Sequence, residues 1–289
     1  MRRATFFSHL SIYILIVLFP PVIFFYFIPS SEPSLPPSAA PSLSLSVPTP
    51  SSNPSLSSPL TTKPSANPSF ESISHEVCEN YAVHARTAIT FDGTMSTIHD
   101  GDVSVSPGTA ITGSYMFDGG GVVVGDSSAF AASVLIAHAD AIAVHGAEQT
   151  MAIEIGGLTF TPGTYRSSSA INFALGTVVT LDGDNQPNPE FLFIAGSTLV
   201  TAADTYFILI NGAKAENVLW ALGSAATLGA RSVVEGSILA GTAITFGTQS
   251  KLHGCALAQS AVTFESEGSV VLNHYKADGI STAISIYKK

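Results

Sequence analysis

Histidines, carboxylates and cysteines are the side chains of this sequence best equipped for chemistry, and their spacing supports little of it. His84, His99, His138, His145, His253 and His274 show no ligand spacing on one element, so core or surface roles are expected ahead of metal binding. His138 and His145, seven residues apart, share a face if their segment is helical. Asp182 and Asp184 resemble a fragment of a Ca2+ loop whose other ligands are missing; a turn built on Asp and Gly accounts for them. Cleavage of an acidic glycan needs clustered carboxylates with a basic partner, whereas here the carboxylates are scattered and Arg231 and Lys251 stand alone. Trp220 fits a core better than a sugar-stacking platform. Cys78 and Cys255 either pair, as in exported proteins, or remain two buried thiols; sequence leaves both open. No enzyme, cofactor or metal centre is expected.

Hydroxyl side chains recur instead. One four-residue phrase occurs six times: Thr87-Ala-Ile-Thr90, Thr109-Ala-Ile-Thr112, Ser169-Ala-Ile-Asn172, Ser224-Ala-Ala-Thr227, Thr242-Ala-Ile-Thr245 and Ser260-Ala-Val-Thr263. The last three begin 18 residues apart, a period that points to a solenoid with one turn of chain per repeat. The same step aligns Val234, Leu252 and Val270, then Leu228, Phe246 and Phe264, then Gly236 and Gly254. Apolar ladders separated by Gly and Ser suit a three-strand coil with tight corners. Strand alternation points Ile244 and Phe246 inward, with Val262 and Phe264, Ile89 and Phe91, and Ile171 and Phe173. It points Thr90, Thr112, Asn172, Thr227, Thr245 and Thr263 outward. The leading Thr87, Thr109, Ser169, Ser224, Thr242 and Ser260 have the wrong parity for a straight strand and are expected at a corner. Uncharged, small and hydroxylated, the phrase suits a surface that meets ordered water.

One segment breaks the β pattern. Residues 126–146 are Ala-rich, open on the capping residues Asp126 and Ser127 and stop at Gly146. An apolar stripe through positions 130, 134, 135, 138, 141 and 142 predicts a helix over about 127–145 that lies against the solenoid.

Composition frames the rest. The 289-residue chain carries a formal charge of −10, and only 11% of its residues are charged, against about 25% in typical proteins. Nucleic acid is not an expected partner. Met1-Arg2-Arg3 precedes an apolar run from Phe6 to Ile28. Residues 1–29 therefore read as a signal peptide or as an uncleaved signal-anchor, with membrane anchoring through residues 4–29 in the second case. Residues 30–70 are Ser/Pro-rich and are expected to form a disordered linker. Residues 71–275 form the folded domain and 276–289 a C-terminal tail. The product is expected outside the cell, secreted or at the cell surface, as a monomer.

The sequence resembles the microbial ice-binding (antifreeze) protein family, the one with a discontinuous β-solenoid and an accompanying helix. The resemblance rests on Gly101-Asp-Val-Ser-Val-Ser-Pro-Gly-Thr-Ala-Ile-Thr-Gly113, Gly157-Leu-Thr-Phe-Thr-Pro-Gly-Thr-Tyr165, Leu181-Asp-Gly-Asp184, Phe191-Leu-Phe-Ile194 and Ile210-Asn-Gly-Ala213. It continues in Asn217-Val-Leu-Trp-Ala-Leu-Gly-Ser-Ala-Ala-Thr-Leu-Gly229 and Gly236-Ser-Ile-Leu-Ala-Gly-Thr-Ala-Ile-Thr-Phe-Gly247. It implies an all-β, right-handed, triangular solenoid with one long helix alongside, whose first strands are set apart from the rest by that helix. It also implies that one flat face binds the surface of an ice crystal and inhibits ice growth and recrystallisation. The repeated phrase looks like the motif some members carry at or near that face, which makes all twelve of its Thr, Ser and Asn positions candidates. This chain departs from the family in a short stretch after the helix that is acidic at Glu148 and Glu154, and in its tail. The rival readings are a cell-surface adhesin anchored by the N-terminal segment and a polysaccharide-binding or -cleaving β-helix.

Overall fold

The structure is a computed structural model that describes residue 78 and residues 80–119, 121–125, 127–146 and 148–272. The segments expected at 1–29, 30–70 and 276–289 lie outside the described residues, as do Asp126 and His274.

Short β-branched and aromatic runs, cut every few residues by Gly, Ser or Asp, make short strands joined by corners. The chain opens with β1 (Tyr81–Ala85), β2 (Ala88–His99), β3 (Asp102–Val105), β4 (Ala110–Asp118) and β5 (Val123–Val124). Helix α1 (Ser128–Ala143) comes next, followed by β6 (Gln149–Thr150) and β7 (Thr159–Phe160). Five turns of three strands complete the domain. They are β8 (Gly163–Ser167), β9 (Ile171–Phe173) and β10 (Val178–Asp182); β11 (Phe191–Ala195), β12 (Leu199–Thr201) and β13 (Tyr206–Ile210); β14 (Val218–Leu222), β15 (Ala226–Leu228) and β16 (Val233–Glu235); β17 (Ser237–Ala240), β18 (Ile244–Phe246) and β19 (Lys251–His253); and β20 (Ala256–Ala258), β21 (Ala261–Phe264) and β22 (Ser269–Val271).

Strands stack in parallel register on three faces. A covered face runs β6-β8-β11-β14-β17-β20-β1-β3-β5. A second face runs β9-β12-β15-β18-β21 and continues into the first halves of β2 and β4. On the third, β7-β10-β13 is followed by β16-β19-β22 and the second halves of β2 and β4. The opening turns thus stack on the last turn: β1 pairs with β20, and β2 with β21 and β22.

The 18-residue step is the true register. Val234 opposes Leu252, Leu252 opposes Val270, Leu228 opposes Phe246 and Phe246 opposes Phe264. Stacked turns place like side chains in contact, so Phe246, Phe264 and Phe91 form a column with ring centroids 4.3 and 4.8 Å apart. Tyr165, Phe193 and Trp220 form another, at 5.4 and 4.3 Å. Such pairs are worth about 0.5–1.5 kcal/mol beyond simple burial. Trp220 is wholly buried and donates its indole N–H to the Glu235 carbonyl at 2.9 Å.

Helix α1 is two residues shorter at its end than its pattern predicts, because Val144 takes an extended conformation at the C-cap. Ser127 occupies the N-cap, but its hydroxyl is buried without a partner and makes no capping bond. The buried stripe is Ala131, Val134, Ala137 and Ala141. Leu135 and Ile142 are only half-buried, since small Ala faces let the helix approach the sheet closely. Phe130 stacks on Tyr81 at 3.9 Å and meets His84 edge-on at 5.1 Å. His138 Nε2 donates to the Leu222 carbonyl at 2.7 Å, and Arg166 donates to the carbonyls of Ile142 and Val144. Under this cover every residue of β11 and β14 is buried. His138 and His145 do not work together, because His145 turns to Glu148 at 3.1 Å.

Cys78 and Cys255 are joined in a disulfide with Cα atoms 5.7 Å apart, which resolves the alternative that the sequence left open. It ties the start of the domain to β20 across 177 residues of sequence.

Candidate functional site

Parity sorts the repeated phrase as expected. Ile89, Phe91, Ile171, Phe173, Ile244, Phe246, Val262 and Phe264 are all buried. The residues between them oppose one another in unbroken register: Asn172 with Val200, Val200 with Thr227, Thr227 with Thr245, Thr245 with Thr263, Thr263 with Thr90, and Thr90 with Thr112. All six predicted outward residues therefore lie in one ladder on one face, the threonine face. Its seven rungs span about 28 Å at roughly 4.7 Å per spacing. Among the described residues, the hydroxyls of Thr90, Thr112, Thr227, Thr245 and Thr263 have no protein partner. β-Branching nonetheless limits their rotamers.

A second row flanks the ladder at the corner where the chain leaves the covered face. Ser197 N–H donates to the Ser169 carbonyl, Ser224 to Ser197, Thr242 to Ser224, Ser260 to Thr242 and Thr87 to Ser260, all within 2.7–3.0 Å. Thr109 immediately precedes Ala110, which opposes Ala88. The leading residues of the phrase are thus corner residues, as their parity required. Glycine makes this corner tight: a Cβ on Gly223 would stand 2.4 Å from the Gly196 carbonyl oxygen. Between the corner and threonine rows runs a row of small side chains, Ala170, Thr198, Ala225, Ala243, Ala261, Ala88 and Ala110.

Sequence reading missed one rung. Ser197-Thr-Leu-Val200 occupies the place of the phrase in its turn, with Val200 exposed in the ladder. Neither its residues nor its spacing from Ser169 fit the 18-residue repeat. The Ser197-to-Ser169 corner bond is the signal that identifies it.

Charge stays at the rim of this face. Glu154 forms an isolated bridge to Asn172 at one end, and its carboxylate is turned onto the amides of Gly156 and Ala174, each at 2.9 Å. Glu265, on the far corner, accepts from the Thr248 amide and hydroxyl. Glu148 lies off the face entirely. Hydrogen bonds from its own backbone N–H, from His145 and from Gly146 lower its pKa to about 2.

The third face is chemically different. Arg231 grips Asp204 through two bonds of 2.7 Å and holds its carboxyl below the usual range. His253 Nδ1 lies 2.8 Å from Glu235, His99 Nδ1 lies 3.0 Å from Asp118, and Lys251 is exposed. Beside these charges, Tyr206, Ile208 and Ile210 expose an apolar strip. Asp182 and Asp184 belong to a corner: Asp182 accepts from the Asp184 amide and from Asn211, and Asp184 and Asn185 take left-handed backbone conformations. Among the described residues no three His, Cys, Asp or Glu side chains converge as a metal site.

Comparison with known proteins identifies the family. An Ice-binding-like family model matches residues 83–270. An ice-binding protein of Nostoc sp. (strain HG1) is 44% identical over 88 residues, which are 30% of this chain and 32% of that protein. Ice-binding protein 1 of Shewanella frigidimarina (strain NCIMB 400) is 34% identical over 97 residues, 33% of this chain and 11% of that one. The matched stretch therefore spans about a third or less of these relatives. The crystal structure of an ice-binding protein from the Antarctic ascomycete Antarctomyces psychrotrophicus superposes with a TM-score of 0.63 at 31% identity, covering 69% of this chain and 97% of that one. An ice-binding protein from an Antarctic biological consortium gives 0.63 at 32% identity, covering 74% and 95%. With the family model reaching from β1 to β22 and the ladder of the repeated phrase intact beneath it, the chain belongs to the ice-binding-like family.

Proposed function

We propose that this chain adsorbs to ice through its threonine face and so slows ice growth and recrystallisation. The observation that carries the reading is the single-face ladder from Asn172 to Thr112, uncharged along its length. Liquid water competes for every hydrogen bond, so isolated hydroxyls give little net preference for ice. A fixed array behaves differently: each Thr supplies a hydroxyl and a methyl at a set spacing, and first-layer water ordered over the grid can merge with the crystal. Because the face is rigid before docking, little conformational entropy is lost. Thr90, Thr112, Asn172, Thr227, Thr245 and Thr263 form its centre, and Thr87, Thr109, Ser169, Ser224, Thr242 and Ser260 its edge. Val200 replaces one hydroxyl with a methyl and leaves the surface uncharged.

The finer architecture belongs to the same proposal. The solenoid winds right-handed, the hand that parallel β crossovers almost always take. It is discontinuous, with α1 carrying the chain from the opening turns to the far end. The protein acts as a monomer, without catalysis. It is exported, and then released or held at the cell surface through residues 4–29. Support for export comes from the apolar run after Met1-Arg2-Arg3 and from the disulfide, a bond that persists in oxidising compartments.

The test is freezing-point hysteresis and recrystallisation inhibition by purified protein beginning at residue 71. Faceted crystals and a hysteresis gap are expected; unaltered ice growth at high protein concentration would remove the reading.

A further inference from the structure

The register of the threonine face is continuous, but its chemistry is not. Each rung shows two outward side chains, two residues apart on one pleat. In six of the seven rungs the first is alanine and the second Thr or Asn, as in Ala225 and Thr227 or Ala243 and Thr245. The rung of β12 exchanges them. Thr198 stands in line with Ala170 and Ala225, and Val200 stands between Asn172 and Thr227. Backbone bonds hold this alignment: the Ile171 amide donates to the Thr198 carbonyl at 2.8 Å, and the Leu199 amide to the Ala225 carbonyl at 3.0 Å. The exchange continues inward. Thr201 opposes Phe173, in the position that Leu228 and Phe246 hold in the next turns, and it bonds Ser232 and the Gly229 amide.

The physical effect is a step in the surface. Alanines between the corner row and the threonine row leave a shallow channel, into which the stiff β-branched side chain of Thr198 stands up. Val200 withdraws the hydroxyl beside it. Water ordered over Ala225 and Ala243 meets a different floor and a missing partner at Thr198 and Val200. Beyond that step only the Asn172 rung remains. The next place in its row belongs to a charged residue, since Glu154 bridges to Asn172. Adsorption through many weak contacts needs many like rungs, and one rung between a step and a carboxylate supplies few.

We propose that Thr198 and Val200 bound the ice contact, an assignment that rests on the ice-binding reading of this face, and that the five uniform rungs of Thr227, Thr245, Thr263, Thr90 and Thr112 carry adsorption. These rungs repeat the same pair of outward residues in unbroken register and span about 19 Å. Two of the five come from the opening turns stacked on β21. The size of the contact is thus set by one exchanged pair of side chains, not by the length of the sheet.

The experiment is freezing-point hysteresis of the full chain, native disulfide intact, at matched concentrations. The double variant Thr198→Ala, Val200→Thr joins the Asn172 rung to the other five and is expected to raise hysteresis above the parent at an unchanged melting temperature. Adding Asn172→Tyr to that variant is expected to remove the gain and return hysteresis close to the parent's level. No gain in a double variant that melts like the parent overturns the proposal. So does a fall well below the parent on adding Asn172→Tyr, because the Asn172 rung then already contributes in the parent. If the double variant melts lower, Thr198→Ala alone, which only removes side-chain atoms from the surface, is measured in its place; a gain is expected, and its absence overturns the proposal. Each of these outcomes leaves the ice-binding reading standing, whereas a parent without hysteresis removes that reading and the boundary with it.

Discussion

The threonine face and the third face are built by the same turns of the same prism, and they differ in how they treat water. Thr227, Thr245 and Thr263 stand in line on one, with no charge between them. One strand later in each turn stand charges: Glu235 pairs with His253, Arg231 pairs with Asp204, and Lys251 is exposed. Exposed ion pairs of this kind add little stability, a median of about 0–1 kcal/mol. Regular stacking builds both faces, and the choice of outward side chain is what separates them. A repetitive fold is thus a permissive scaffold, and the proposed ice contact rests on the side chains of one of its sides.

Adjacent residues break the comparison most sharply. Phe246 lies in the aromatic column beneath the threonine face. Phe246→Ala should cost about 3–5 kcal/mol and disturb both faces, read as a large drop in melting temperature. Thr245→Tyr, one residue away, should leave melting nearly unchanged while hysteresis falls sharply. Lys251→Tyr on the third face should change neither quantity. Full activity in Thr245→Tyr would move the site elsewhere.

Acid separates stability from adsorption. Burial, aided by Arg86, lowers the pKa of His84 from the ordinary 6.5 to about 4. His84 bonds Ser104 through Nδ1 at 2.7 Å, while its Nε2 is buried beside Phe130 without a partner. Between these two values the unfolded chain binds the proton that the folded chain refuses, so stability is full above about 6.5 and declines toward pH 4. Melting temperature measured across that range should fall, and His84→Phe should flatten this part of the profile. The central rows of the threonine face carry no titratable group, so hysteresis at temperatures where the protein stays folded should hold constant over the same range. The smallest effect is expected at the gap in the ladder: Val200→Thr should raise hysteresis modestly.

Much of the site was legible before any coordinates. Inward Ile and Phe and outward Thr follow from two-residue alternation, which depends only on the local geometry of a strand. The 18-residue period fixed which residues meet wherever turns are equal in length. It failed at Val200, where longer corners shift the count and hydrogen bonding across turns restores the alignment. The helix was visible as a segment, but its buried stripe of Ala131, Ala137 and Ala141 was not, because close packing against a sheet rewards small side chains over the bulky ones that a hydrophobic pattern emphasises.

Sequence alone determined the repeat, its parity and its lack of charge, since these are properties of neighbours along the chain. Tertiary structure decided that the copies at Thr87–Thr90 and Thr109–Thr112 continue the ladder of Thr263, that Cys78 meets Cys255, and that α1 roofs a different side. Those facts depend on which distant turns stack together. Stacking is chosen by the burial of a whole interior, and no local pattern records that choice.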